Sequence, residues 1–76
     1  MNKARRDLLK RAISALKSAE EYTNTALEEE QDCLDNMPEN LSDSERYSKM
    51  EDAIEQLEDA LNNISAAMEC IERASE

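Results

Sequence analysis

NMPENLSDSE, residues 36–45, is the one plausible break in a sequence that otherwise follows a helical pattern from end to end. Pro38 lacks a backbone N–H and disfavours helical geometry at Met37, so a helix that arrives from the N-terminal side must end there. Ser42 with Glu45 three residues later has the spacing of a capping box, which predicts that Ser42 is the N-cap of a second helix. The stretch therefore predicts a turn between two helices.

Apolar residues on both sides of this break recur in alternating steps of four and three, the pattern of a helix that packs lengthwise against another helix. The two strips, one on each helix, are Leu9, Ile13, Leu16, Glu20, Thr23, Leu27, Glu30, Leu34 and Met37, then Tyr47, Met50, Ile54, Leu57, Leu61, Ile64, Met68 and Ile71. We call these strips the seam. The first strip contains polar residues, and such residues within a seam either fix register and oligomeric state or line a polar pocket between subunits.

The length and composition agree with an all-α fold. The chain has 76 residues, no glycine and one proline, and good helix formers dominate it. We predict one domain over residues 1–76, with helix 1 at about 2–36, a loop at 37–42 and helix 2 at about 43–75. Matched lengths and a short connection predict an antiparallel hairpin.

Small residues recur every seven positions beside the seam on both helices. These rows are Ala12, Ala19, Ala26 and Cys33 on helix 1, and Ala53, Ala60, Ala67 and Ala74 on helix 2. Leu8, Ala15 and Tyr22 widen the apolar stripe of helix 1 to roughly 180°, more than one partner helix can cover. A two-helix hairpin of this size is also marginally stable alone. We therefore expect homo-oligomerisation into a four-helix or larger bundle.

Charge is distributed unevenly. The net charge is −10, yet residues 1–17 hold six cations against one carboxylate. We call this stretch the basic segment. One interpretation is that it pairs across the hairpin with Glu69, Glu72 and Glu76. The other is a site for a phosphorylated ligand at subunit interfaces, for which the candidate contacts are Arg5, Arg6, Lys10, Arg11, Tyr22, Arg46 and Tyr47.

Several function classes find no support in the sequence. Histidine is absent, and neither a phosphate-binding glycine loop nor a nucleophile motif occurs, so we expect a non-enzymatic protein without cofactor or metal. The overall acidity argues against direct nucleic-acid binding. Neither a signal peptide nor a membrane span is recognisable, and the two cysteines are expected to be reduced, small seam residues, which together predict a cytoplasmic protein.

The segment Asn36–Tyr47, with Met50-Glu51-Asp52-Ala53-Ile54 and the basic start Met1–Arg6, resembles short helical-hairpin proteins of Firmicutes genomes and phages. That resemblance implies a fold but no activity. In size and shape alone, the chain is also similar to small oligomeric phage proteins that sequester cyclic nucleotides and so counter bacterial defence. Sequestration of a cyclic or otherwise phosphorylated nucleotide is thus one predicted function. The alternative is a protein–protein interaction module, a coiled-coil adaptor or an acidic inhibitor of a basic partner, without a small-molecule ligand.

Overall fold

The protein is an antiparallel hairpin of two long helices. The computed structural model describes residues 1–41 and 44–76. Helix α1 spans Lys3–Asp35, a short 3-10 turn spans Glu39–Leu41, and helix α2 spans Glu45–Ala74. The described residues form no β-strand. The predicted all-α hairpin is confirmed.

Side-chain hydrogen bonds define both ends of α1. The Asn2 side chain accepts a hydrogen bond from the Arg5 backbone N–H at 2.9 Å, satisfying one of the amides that a helix N-terminus leaves unpaired. At the other end, both the backbone N–H and the side-chain amide of Asn36 donate to the Asp32 carbonyl, at 3.1 and 2.8 Å. Pro38 follows two residues later, so α1 ends close to its predicted boundary.

The predicted start of the second helix is wrong by two residues. Ser44, and not Ser42, is the N-cap of α2, and its hydroxyl accepts a hydrogen bond from the Tyr47 N–H at 3.2 Å. Glu45 is then the first helical residue, so it cannot close a capping box from the third position. Ser42 and Asp43 lie outside the described residues.

The 3-10 turn explains this shift. The Leu41 N–H donates to the Pro38 carbonyl at 2.9 Å, and the Ser44 N–H donates to the Leu41 carbonyl at 3.0 Å. These bonds extend the connection to Ser44, a residue of the same type as Ser42 and equally able to cap a helix. Across residues 1–41 and 44–76 no residue has a positive φ, so the described part of the turn is built without the left-handed geometry that glycine favours.

The two helices pair in a register that differs slightly from the predicted one. A hairpin centred near residue 39 or 40 would place Leu9 opposite residue 70. In the structure, Leu9 and Ile13 line a groove together with Glu72 and Ser75. The turn is longer than predicted, so its centre lies further toward the C-terminus. Each residue of α1 therefore faces a position of α2 that is later in the sequence, by up to about one helical turn.

The core of this hairpin is very small. Within residues 1–41 and 44–76, the buried side chains are Met50 and Ile54, which are 8% and 7% exposed. The molecule is a rod of 59 × 15 × 13 Å with a radius of gyration of 17.3 Å. A compact domain of this length would have a radius near 11 Å. Its accessible surface is 5864 Å², against about 4,700 Å² for a compact monomer of this mass.

Polar seam residues account for part of this thin core. Glu20, Thr23 and Glu30 lie half-buried between the helices. Glu20 lines a groove with Leu61 of α2, so a carboxylate occupies a place where a coiled coil ordinarily packs an aliphatic side chain. The buried residues of α2 lie near the turn. The seam residues in the middle of the hairpin are only half-buried.

Candidate binding surfaces

The two flanks of the hairpin differ in chemical character. Along one flank, grooves between the helices are lined by charged and amide side chains, including Lys10, Gln31, Glu51, Glu58 and Glu72. The other flank carries the alanine rows of both helices, because residues seven apart stay on one side of a helix that packs lengthwise. We call this second flank the alanine face.

The alanine face carries exposed large apolar side chains on α1. Leu8 is 61% exposed and Tyr22 is 78% exposed. Ala15, midway between them, is also exposed, whereas Ala19 and Ala60 are half-buried. Since residues 8, 15 and 22 are spaced by seven, they form one ridge beside the alanine row of α1. The single hairpin leaves this ridge uncovered.

The predicted charge pairing across the hairpin is not observed among the described residues. The ion pairs there are Lys3–Asp7 at 3.3 Å, Glu45–Lys49 at 3.2 Å and Glu69–Arg73 at 2.7 Å, each within one helix. A partner four residues away on the same helix is already within reach, whereas pairing across the rod would fix two long side chains for little gain. Glu69 is therefore engaged by its own helix rather than by the basic segment.

The seven predicted ligand contacts do not converge within one chain. Arg5, Arg6, Lys10 and Arg11 lie on the first turns of α1, at the open end of the hairpin, and Arg46 and Tyr47 lie on the first turn of α2. The two groups are roughly 40 Å apart, at 1.5 Å per residue along α1. Tyr22 lies between them. A ligand site that used all seven residues would need more than one subunit.

The two loop-end candidates have different environments. Arg46 is exposed and borders a groove that also contains Asp32, Cys33 and Met50. Tyr47 is half-buried in the seam, and its backbone N–H is bonded to the Ser44 cap. Tyr47 is thus partly covered by its neighbours in the seam, and Arg46 is the more accessible of the two side chains.

The cysteines are not packed as predicted. Cys33 and Cys70 are both free and exposed. Cys33 follows the exposed Ala26 at the turn end of the alanine row, and Cys70 lies outside the seam strip of α2. Their expected role as small seam residues is wrong for the single hairpin.

The described residues offer neither a cluster of metal ligands nor a membrane-spanning helix. Among residues 1–41 and 44–76, no three acidic or cysteine side chains are grouped so that they could hold a metal ion. Neither α1 nor α2 contains a stretch apolar enough to cross a lipid bilayer.

The sequence indicated an alanine row on each helix at one heptad position, where small residues let the two helices approach closely. The signal was present in the heptad spacing. In an antiparallel pair the two helices present the same heptad position on one flank, so rows at one position on both helices meet side by side. The alanine face, with the exposed Leu8 and Tyr22 beside it, is therefore a candidate interaction surface of the hairpin.

Comparison of the chain with protein-family models, with curated proteins and with solved structures finds no match.

Proposed function

We propose that this chain is a non-enzymatic interaction module that associates with further copies of itself through the alanine face. The observation that carries the proposal is the imbalance between core and surface. Two side chains are buried in the described hairpin, while Leu8 and Tyr22 remain 61% and 78% exposed on one ridge. Burying apolar surface stabilises a protein by about 25 cal/mol per Å². Covering this ridge with a second copy therefore gives an assembly stabilisation that the single hairpin lacks.

The size of the alanine face is consistent with a specific interface. From Leu8 to Cys33 the face runs for roughly 38 Å along α1, at 1.5 Å per residue. With a width of at most about 15 Å, the transverse dimension of the whole rod, it provides no more than roughly 570 Å² per protomer. Two such faces bury at most about 1,100 Å², near the lower limit for stable protein–protein interfaces.

The test is sedimentation equilibrium of the unmodified chain and of two neighbouring aspartate variants, Ala15→Asp and Ser14→Asp. Both positions are exposed in the single hairpin, so both variants add the same charge at little cost to that hairpin. Ala15 points to the alanine face, whereas Ser14 is rotated by about 100° away from it. In a two-fold assembly each substitution occurs twice, so Ala15→Asp should weaken association by roughly 100-fold.

The Ser14→Asp variant is the matched control and should associate like the unmodified chain. Equal weakening by both variants would place the interface elsewhere. An unmodified chain that sediments as a folded 8.7 kDa monomer at micromolar concentration would overturn the proposal.

A second candidate function is the sequestration of a phosphorylated ligand, such as a cyclic nucleotide, where subunits meet. It is supported by the basic segment, in which Arg5, Arg6, Lys10 and Arg11 are exposed and make no ion pair to α2 among the described residues. Guanidinium groups bind phosphate oxygens in a bidentate manner, so several arginines brought together suit such a ligand. A thermal-shift series with cyclic di- and trinucleotides tests it, and the absence of any shift would exclude those ligands.

A further inference from the structure

The hairpin has a strong lengthwise asymmetry of charge. Residues 1–17, at the open end, carry six cations and one carboxylate, and residues 62–76 beside them add three carboxylates and one cation, so this end is net positive. Residues 28–52, which surround the turn, carry ten carboxylates and two cations. The rod is 59 Å long, several times the screening length of about 8 Å at physiological salt. Each end is therefore sensed by a neighbouring molecule as a separate charge.

This asymmetry determines how two alanine faces can meet. A parallel pair would place the acidic turn of one hairpin on the acidic turn of the other, and like charges in close contact oppose association. An antiparallel pair places each basic end on the partner's acidic end. The charge distribution therefore selects the antiparallel arrangement.

The positions of the charges on α1 also indicate a register. Residues 3–11 contain five cations, and residues 27–35 contain five carboxylates and no cation. An antiparallel pair of α1 helices aligns these two segments when its two-fold axis passes near Ala19. The same register brings Ala12 opposite the partner's Ala26 and places Tyr22 beside the partner's Ala15, while Leu8 lies level with the partner's Glu30.

Helix α1, rather than α2, provides most of this contact. Its ridge beyond the alanine row is Leu8, Ala15 and Tyr22, whereas the equivalent positions of α2 are Lys49, Gln56 and Asn63. An apolar ridge gains from burial, and an amide or ammonium group loses its hydration there. The partner must therefore approach from the α1 side of the alanine face.

We propose that a second copy of this chain covers the alanine face in an antiparallel orientation, α1 against α1, with the two-fold axis near Ala19. This inference rests on the proposed self-association and adds the partner's orientation and register. Residues 3–11 of one protomer then lie along residues 27–35 of the other. The exposed arginines that find no partner on α2 obtain one from the second subunit.

Cysteine cross-linking tests the orientation. Ala12→Cys and Ala26→Cys are each introduced into a Cys33→Ser, Cys70→Ser background, and both proteins are first shown to sediment as oligomers. Each variant is then treated with a short bismaleimide, alone and after the two have been unfolded and refolded together. The antiparallel pair predicts a cross-linked dimer in the mixture and little in either protein alone, because residues 12 and 12, or 26 and 26, lie many residues apart along the interface.

Each other result contradicts the proposal in a different way. Efficient cross-linking of each variant with itself would indicate a parallel pair. Intact oligomers that give no cross-link in the mixture would place the interface away from α1. A monomeric parent would instead refute the self-association on which the inference depends, so the two failures are distinguishable.

Charge reversal gives an independent check that needs no new cysteine. The variant Arg5→Glu, Arg6→Glu and the variant Glu29→Lys, Asp32→Lys should each self-associate roughly tenfold or more weakly than the unmodified chain. When mixed, they should form a heterodimer, because each altered segment then meets an opposite charge. Unchanged self-association of both variants would show that these segments do not face each other.

Discussion

Replacing Ile54 with alanine tests whether the small core near the turn holds the hairpin together. Ile54 is 7% exposed and, with Met50, forms the buried part of the described chain. Its α1 neighbours in a shared groove include Gln31 and Leu34. Truncating a buried isoleucine to alanine typically costs 2–5 kcal/mol, and the thin surroundings here allow partial collapse, so we expect about 3 kcal/mol.

That loss is large relative to the whole stability of the chain. At 0.05–0.15 kcal/mol per residue, a 76-residue protein is stable by about 4–11 kcal/mol. For domains of this size each kcal/mol lowers the melting temperature by about 4–8 °C, so Ile54→Ala should melt roughly 12–24 °C below the parent. Circular dichroism at equal protein concentration measures the shift, since association also raises apparent stability.

Leu41→Ala is the control for this experiment. Leu41 lies in the 3-10 turn and is 44% exposed. Its truncation should cost less than about 1 kcal/mol, because nearly half of this residue is already in contact with water in the folded chain. If the free energy of unfolding of Ile54→Ala lay within about 0.5 kcal/mol of the parent's, packing between α1 and α2 at this position would contribute nothing to stability. The reasoning from burial would then be refuted.

Three further variants probe the cap, the seam and the basic segment. Ser44→Ala should destabilise the chain by about 0.5–2 kcal/mol in urea unfolding, since the Tyr47 N–H loses its acceptor; no change would exclude Ser44 as the working cap. Leu57→Asp should abolish cooperative thermal unfolding, because an unpaired charge in the seam costs several kcal/mol, and a melt like that of the parent would remove this residue from the seam. Neutralising Arg5 and Arg6 together to glutamine should weaken self-association in sedimentation experiments while leaving the helical content by circular dichroism unchanged. Undiminished association would contradict the placement of the basic segment against a partner.

The sequence predicted the hairpin well because the relevant signals were local and repeated. Pro38 ends a helix wherever it occurs, and seam residues spaced by three and four specify which side of each helix is covered. The start of α2 was mispredicted because Ser42 and Ser44 are equally good caps. Only the backbone hydrogen bonds that extend the turn to Ser44 decide between them.

It was harder to predict which candidate binding residues lie close together, because their separation depends on where each lies along the hairpin. Charge and residue type identified Arg5 and Arg46 as candidate anion contacts, but their separation follows from the hairpin geometry. Two tyrosines with similar sequence surroundings also differ sharply, as Tyr22 is 78% exposed and Tyr47 is half-buried. A single sequence specifies the pattern on each helix, and the pairing of helices determines which side chains remain available.

Native mass spectrometry of the freshly purified, unmodified chain tests the central claim most directly, because it reports subunit number and any retained ligand together. Self-association through the alanine face predicts a dimer, or an even-numbered assembly of dimers, built from 8.7 kDa chains and persisting at micromolar concentration. A folded monomer as the dominant species at that concentration would contradict the claim. It would show that the hairpin is stable alone with the two buried side chains of its described residues, Met50 and Ile54.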